Sequence, residues 1–282
     1  MSNRANDLLA AATRRLIEAG VPDAAQDARR LLSHAAGVEP GRLTLMLGEP
    51  LADIAKAEFD ALIARRAARQ PVAQIVGRRA FYGRDYAVTP DVLDPRPETE
   101  ILVEAALAEP FGHVLDLGTG SGCILLTLLA EVPDALGIGV DVSAAAVSVA
   151  RRNSEALGLA ERAHFQMSDW ASTVEGVFDL IVSNPPYIPR ALHAELAPEV
   201  RDHEPSLALT DGADGLMCYR AIFSSIGPLL AEGGRVLVEI GPDQAEDVVA
   251  IAAIRGFEAI AVVPDLDGRE RVVVARPASG KG

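Results

Sequence analysis

Residues 113–122 read His-Val-Leu-Asp-Leu-Gly-Thr-Gly-Ser-Gly. A short apolar run that ends in alternating glycines is how a strand turns sharply into a helix. Gly118, Gly120 and Gly122 carry no Cβ, so the backbone there can approach a ligand closely, and the amides that open the next helix can donate to a carboxylate. Gly-Ile-Gly-Val-Asp at 137–141 is a second apolar strand ending in an acid. It stands where a two-layer nucleotide fold puts the carboxylate that takes ribose hydroxyls. Outward from this pair, strands are expected at 163–167, 178–183 and 234–240, with helical segments between them, which is the pattern of an open α/β sheet. Segments 258–263 and 271–275 flank Asp265-Leu266-Asp267-Gly268, whose Asp-Gly chemistry suits a hairpin and hence an antiparallel ending.

The glycine run has the spacing G-x-G-x-G, with Asp116 two residues before it, and not the G-x-G-x-x-G expected of a pyrophosphate binder. S-adenosylmethionine is the better ligand. It carries a carboxylate, an ammonium and a sulfonium in place of phosphates, so nearby acids attract where they would repel a pyrophosphate. The expected cofactor-binding residues are Gly118, Thr119, Gly120, Ser121, Gly122 and Asp141. Trp170, the only tryptophan, follows Ser168-Asp169 and is expected to pack on the adenine.

A third signal lies at 181–188, Ile-Val-Ser-Asn-Pro-Pro-Tyr-Ile, an apolar strand that breaks at Asn184. Pro185 and Pro186 have no backbone N–H, so this loop offers carbonyl acceptors without competing donors, and the Asn184 side-chain oxygen adds another. Such a loop captures a planar NH2 group, which donates twice. Tyr187 can lay its ring against a flat amide or base and set its plane. Asn184, Pro185 and Tyr187 are therefore the expected catalytic residues. Asn184, Pro185, Pro186 and Tyr187 are expected to bind the substrate, with Asn184 also facing the cofactor. Adenine, cytosine and glutamine all present such an NH2, so the loop alone leaves the substrate class open.

Asp-Leu-Gly-Thr-Gly-Ser-Gly, Val-Asp, Ser-Asp-Trp and Asn-Pro-Pro-Tyr occur in that order, and together they resemble the HemK/PrmC protein-(glutamine-N5) methyltransferases. The likeness extends to Pro95-Arg96-Pro97-Glu98-Thr99-Glu100, Val200-Arg201-Asp202-His203-Glu204-Pro205, Asp214-Gly215-Leu216 and Gly268-Arg269-Glu270-Arg271, and so runs from about residue 80 to 276. One departure is Asp94, where the family usually has an apolar residue before Pro-Arg-Pro. The resemblance implies a class I, Rossmann-like fold with a seven-stranded mixed sheet and a small N-terminal helical domain. It implies methyl transfer from S-adenosylmethionine to the glutamine of the Gly-Gly-Gln loop of class 1 peptide chain release factors, in support of translation termination. A ribosomal-protein glutamine is the alternative substrate, and a DNA or RNA amino group a more distant one.

Composition narrows these choices. The chain has 282 residues, 49% of them apolar, enough for two modest domains with buried cores. It carries 26 basic and 40 acidic residues, a net charge of −14. Residues 1–75 are nearly balanced, with ten Lys/Arg against nine Asp/Glu, so the excess acid lies in 76–282. Nucleic-acid binders are usually basic over the binding face, which disfavours a DNA or RNA partner. Only Cys123 and Cys218 are present, giving neither a disulfide framework nor a metal cluster. The N-terminus lacks an apolar leader and no stretch approaches the ~18 apolar residues of a membrane span. A soluble, monomeric, cytoplasmic protein without a metal is expected.

The expected organisation is a helical substrate-recognition domain at 1–75, a hairpin linker at 76–95 and a methyltransferase domain at 96–282. In the first, Leu8, Ala12, Leu16 and Ala19 recur at helical spacing, Asp23 can cap a second helix carrying Leu31 and Leu32, and a third over 51–69 places Ile54, Phe59, Leu62 and Ile63 inward.

Overall fold

The structure, a computed structural model, describes residues 4–278. The chain forms two compact units, one of residues up to Arg78 together with Ala197–His203, the other of Arg79–Leu196 and the residues from Glu204 onward.

The first unit is helical: α1 (Ala5–Glu18), α2 (Ala24–Ala36), the short α3 (Leu43–Met46), α4 (Asp53–Ala67) and α5 (Val72–Val76). In α1 the buried stripe is Ala5, Leu9, Ala12 and Leu16, which includes the expected Ala12 and Leu16, while Leu8 and the C-cap Ala19 flank it half-buried. In α4 Phe59, Leu62 and Ile63 are buried with Arg66, but Ile54 is 87% exposed. Five residues before Phe59 at about 100° per residue, Ile54 falls well off that stripe. Asp23 stands at the N-cap of α2, yet its side chain makes no capping bond.

The second unit opens with a two-stranded ribbon, β1 (Arg78–Phe81) and β2 (Arg84–Ala87). Its turn residues Tyr82 and Gly83 have φ of 47° and 73°. Positive φ at both central positions gives the tight turn whose twist matches two antiparallel strands. There follow α6 (Glu100–Leu107), β3 (His113–Leu117), α7 (Cys123–Glu131), β4 (Leu136–Asp141), α8 (Ala144–Ala156), β5 (Ala163–Met167) and β6 (Phe178–Ser183). The chain then visits the first unit as α9 (Pro198–His203) and returns for α10 (Met217–Ser225), β7 (Leu230–Glu239), α11 (Ala245–Ile254), β8 (Phe257–Pro264) and β9 (Glu270–Pro277).

β3 to β9 form one seven-stranded sheet in the order β5-β4-β3-β6-β7-β9-β8. The first five of these are parallel, and β9 runs antiparallel between β7 and β8. The mixed sheet is the expected one, with β7 beginning four residues earlier than its apolar run suggested. Apolar cores cover both faces, one built on α6, α7 and α8, the other on α10 and α11. Two glycines of β4 explain its spacing: a Cβ on Gly137 would strike Leu125, and one on Gly139 would stand 2.6 Å from Phe165. The strand order reverses between β3 and β6, which places a crevice at their carboxyl ends. Asp94 is buried with the Arg79 guanidinium 3.7 Å away, so the departure from the usual apolar residue is accommodated by a cation on β1.

Candidate active site

A cavity of about 360 Å³ opens at that crevice. Each of the four neighbouring parallel strands delivers one expected residue to it: Gly118 after β3, Asp141 at the end of β4, Trp170 after β5 and Asn184 after β6. Thr119, Gly120, Ser121 and Pro186 also line it, whereas Gly122, Pro185 and Tyr187 do not.

The turn from β3 into α7 is held by its own side chains. Asp116 is fully buried and accepts from the Thr119 hydroxyl at 2.7 Å. An acid from the strand thus takes the hydroxyl proton of one of the expected cofactor residues. Loop amides are engaged as well: those of Gly118 and Thr119 donate to the Val140 carbonyl, Gly120 to Asp141 Oδ2 at 3.0 Å and Gly122 to the Thr119 carbonyl. Gly118, Gly120 and Gly122 have φ of 72°, 54° and 80°, so side chains there would be strained. At Gly120 the space a side chain would fill is open cavity, but at Gly122 it would strike Leu126, Ala150 and Phe165. Gly122 therefore serves helix packing. Asn153 of α8 ties the region together, pairing with both backbone groups of Ala87 and donating to the Ser121 carbonyl at 2.8 Å.

Asp141 accepts from Gly120 and, through Oδ1, from the Ser143 N–H at 2.9 Å, leaving each oxygen a further lone pair for the cavity. Burial raises its pKa against those two bonds. Trp170 holds a φ of 49°, rare for a bulky residue, and packs toward Gly118, whose missing Cβ would lie 3.9 Å from the ring. Four aspartates, Asp91, Asp141, Asp169 and Asp211, line the cavity against a single arginine, Arg96. That arginine is committed to the buried Glu204, with both carboxylate oxygens 2.7 Å from one nitrogen. The cavity favours a cation.

On the other side, the Ser183 hydroxyl donates to the Leu117 carbonyl at 2.7 Å, clamping β6 to β3 just before Asn184. The Asn184 side-chain NH2 donates to the Thr99 hydroxyl at 3.1 Å. Tyr187 is half-buried on the second apolar core, beside Gly241, and burial together with the nearby Glu239 pushes its phenol up to about 12. Its carbonyl accepts from Gln244 Nε2 at 3.0 Å, while Gln244 Oε1 accepts from the Gly241 N–H at 2.9 Å. Gln244 thereby fixes the loop, and no spacing in the sequence marks it.

Three buried acids predict a pH dependence. Burial pushes Asp116, Glu204 and Glu239 up to about 7, from unfolded values near 3.8 for the aspartate and 4.5 for the glutamates. The folded chain then binds more protons than the unfolded chain, so their contribution to stability is full below the unfolded values and is lost as pH rises through about 7. Each is expected to remove on the order of 1 kcal/mol between pH 6 and pH 8. Asp179, held below its usual range by the Gly112 and His113 amides, acts only at lower pH. Calorimetry should give a higher Tm at pH 6 than at pH 8; the reverse order would contradict the burial of these groups as neutral acids.

Comparison with known proteins matches two segments of the chain to families. Residues 7–77 match the PrmC N-terminal domain and residues 91–199 the methyltransferase small domain. The chain is 56% identical over 273 residues to the release factor glutamine methyltransferase of Cereibacter sphaeroides, covering 97% of this chain and 98% of that one. It is 49% identical to the protein of that name from Rhodospirillum rubrum, over 93% and 82% of the two chains. Among solved structures, a methyltransferase from Pyrococcus furiosus shares the fold with a TM-score of 0.55 at 17% identity, over 78% of this chain and 98% of that one. With relatives this similar along almost their whole length, the chain belongs to the release factor glutamine methyltransferase family.

Proposed function

We propose that the protein transfers a methyl group from S-adenosylmethionine to the side-chain amide nitrogen of the glutamine in the Gly-Gly-Gln motif of class 1 release factors, as a cytoplasmic monomer. The observation that carries this reading is the Asn184 amide, which lines the cavity beside the glycine turn with its NH2 turned to Thr99. Its oxygen is left for a substrate N–H.

The cavity fits the cofactor. Its aspartates suit an ammonium and a sulfonium, the open space at Gly120 admits a ligand close to the backbone, and Asp141 has lone pairs for ribose hydroxyls. Trp170 would pack on the adenine. S-adenosylmethionine supplies an activated methyl on a positively charged sulfur.

Asn184 and the Pro185 carbonyl would accept the two N–H groups of the glutamine, so that its nitrogen lone pair points out of the amide plane. Fixing that orientation can supply roughly 7–11 kcal/mol of the barrier. As the nitrogen forms its bond to carbon it becomes cationic, and the same acceptors bind it more tightly than the neutral amide. No strong base is required, because the nitrogen becomes acidic only then and can release a proton to water. The helical unit would recognise the body of the protein substrate. A ribosomal-protein glutamine is the second reading, favoured by the same loop.

Trp170 tests the cofactor site. As the only tryptophan, it should show a saturable change in emission on titration with S-adenosylmethionine. Trp170→Ala is expected to weaken binding about tenfold by calorimetry; unchanged affinity would remove Trp170 from the site. The substrate is tested by mapping the methyl, by mass spectrometry of the release-factor peptide that contains Gly-Gly-Gln, and a methyl found on any other peptide would overturn the assignment.

A further inference from the structure

The side-chain amide of Asn184 works only one way round. Its oxygen must face the cavity to accept from a substrate NH2, and an amide turned over would present two donors to two donors. Strand and turn geometry cannot choose between the two orientations, since they differ by a half-turn about the last side-chain bond. Whatever chooses must be a neighbour with a fixed sense of donation.

Thr99 is that neighbour. Asn184 Nδ2 lies 3.1 Å from Thr99 Oγ1, across 85 residues of sequence. A free threonine hydroxyl could meet either end of an amide, because it both donates and accepts. This hydroxyl is buried, and the carboxyl of Glu239, at the end of β7, neighbours it as an acceptor. Glu239 is itself fully buried, and its Oε2 has no hydrogen-bond partner. With its one proton drawn to that carboxylate, Thr99 has only lone pairs to offer Asn184. Only the NH2 of Asn184 can meet them. An ionised carboxylate can only accept, so the sense of donation is fixed while Glu239 is ionised.

We propose that Thr99, with its proton held by Glu239, is a positioning residue that sets the orientation of the Asn184 amide and so presents its oxygen to the substrate nitrogen. The inference rests on the proposed use of Asn184 as an acceptor. Thr99 also lines the cavity, so the rate of transfer is read against cofactor affinity to separate positioning of Asn184 from a change of cavity shape.

The test replaces the hydroxyl while keeping the shape. Thr99→Val, Thr99→Ser and the parent chain are compared for single-turnover methyl transfer to a release factor, for cofactor affinity by Trp170 emission, and for Tm. Thr99→Val is expected to slow transfer roughly 30-fold, with cofactor Kd within about twofold, and Thr99→Ser to stay within about threefold of the parent. Thr99→Ala removes the hydroxyl without adding bulk and carries the same expectation if the valine chain does not fold. Transfer by Thr99→Val as fast as the parent, or a serine variant as slow as the valine one, would overturn the proposal. So would equal losses in rate and cofactor affinity. A parent chain that methylates no release factor would count against the proposed function instead, so the two failures are distinguishable.

Discussion

Asn184→Ala is expected to slow methyl transfer by about 10²–10³-fold while cofactor affinity changes by no more than a few-fold. In the proposed reaction, truncation removes one of two acceptors for a nitrogen that gains positive charge as it reacts. Interactions that strengthen in the transition state govern turnover, whereas the neutral amide binds almost as well without them. The glycine turn is untouched by the change: Asp116, Thr119 and Asn153 hold it from the other side, and the Ser183 hydroxyl still clamps β6 to β3. Single-turnover rates and calorimetric affinities measured on the same preparation check this. Comparable losses in both would mean that Asn184 supports the cavity as a whole.

The second large effect concerns stability. Arg66→Ala is expected to cost the helical unit about 3–5 kcal/mol, the usual cost of leaving a buried charge without its partner. Arg66 Nε stands 2.7 Å from Asp27, its other end stands 3.0 Å from Glu199, and all three side chains are at most 15% exposed. Arg69 completes the cluster, 2.6 Å from the second oxygen of Glu199 and donating to the Gly20 carbonyl. Glu199 belongs to α9, so the cluster also anchors that returning segment, as does Gln74 by donating to the His203 carbonyl at 2.8 Å. Calorimetry on the whole chain should show a lowered first transition. Replacing Arg66 and Asp27 together by Met and Leu should recover much of the loss, because a buried pair removed as a unit leaves less unsatisfied charge. A double variant no more stable than Arg66→Ala would contradict the pairing.

What the sequence made legible was local. The strands of the sheet are short apolar runs punctuated by glycine, proline and acids, and punctuation of this kind survives packing. That is why β3 to β6 fall on their expected residues, and why Gly118, Asp141, Trp170 and Asn184 were readable as strand ends meeting at one crevice. Helix phase was less legible in the first unit, where alanines populate every face: Leu8 and Ile54 fitted an apolar repeat but lie off the buried stripes. What was not legible was contact across long separations. Thr99 reads as the start of a helix, Glu239 as the last residue of a strand, and Gln244 as a loop residue, yet each holds the Asn-Pro-Pro-Tyr loop or its support. Glu199 likewise meets Arg66 from 133 residues away. The amides of the glycine turn carried the opposite lesson. Orphan donors were expected there for a ligand, and Asp141 and Val140 already take several of them.

The central claim is the identity of the accepting atom, and one experiment addresses it directly. Labelled S-adenosylmethionine is offered with a purified class 1 release factor, the same factor with its Gly-Gly-Gln glutamine changed to alanine, ribosomal subunits and duplex DNA, side by side. Label on the intact factor alone is the predicted result. Label that persists on the alanine variant, or appears only on ribosomes or DNA, would leave the fold and the cofactor site standing and contradict the assigned substrate.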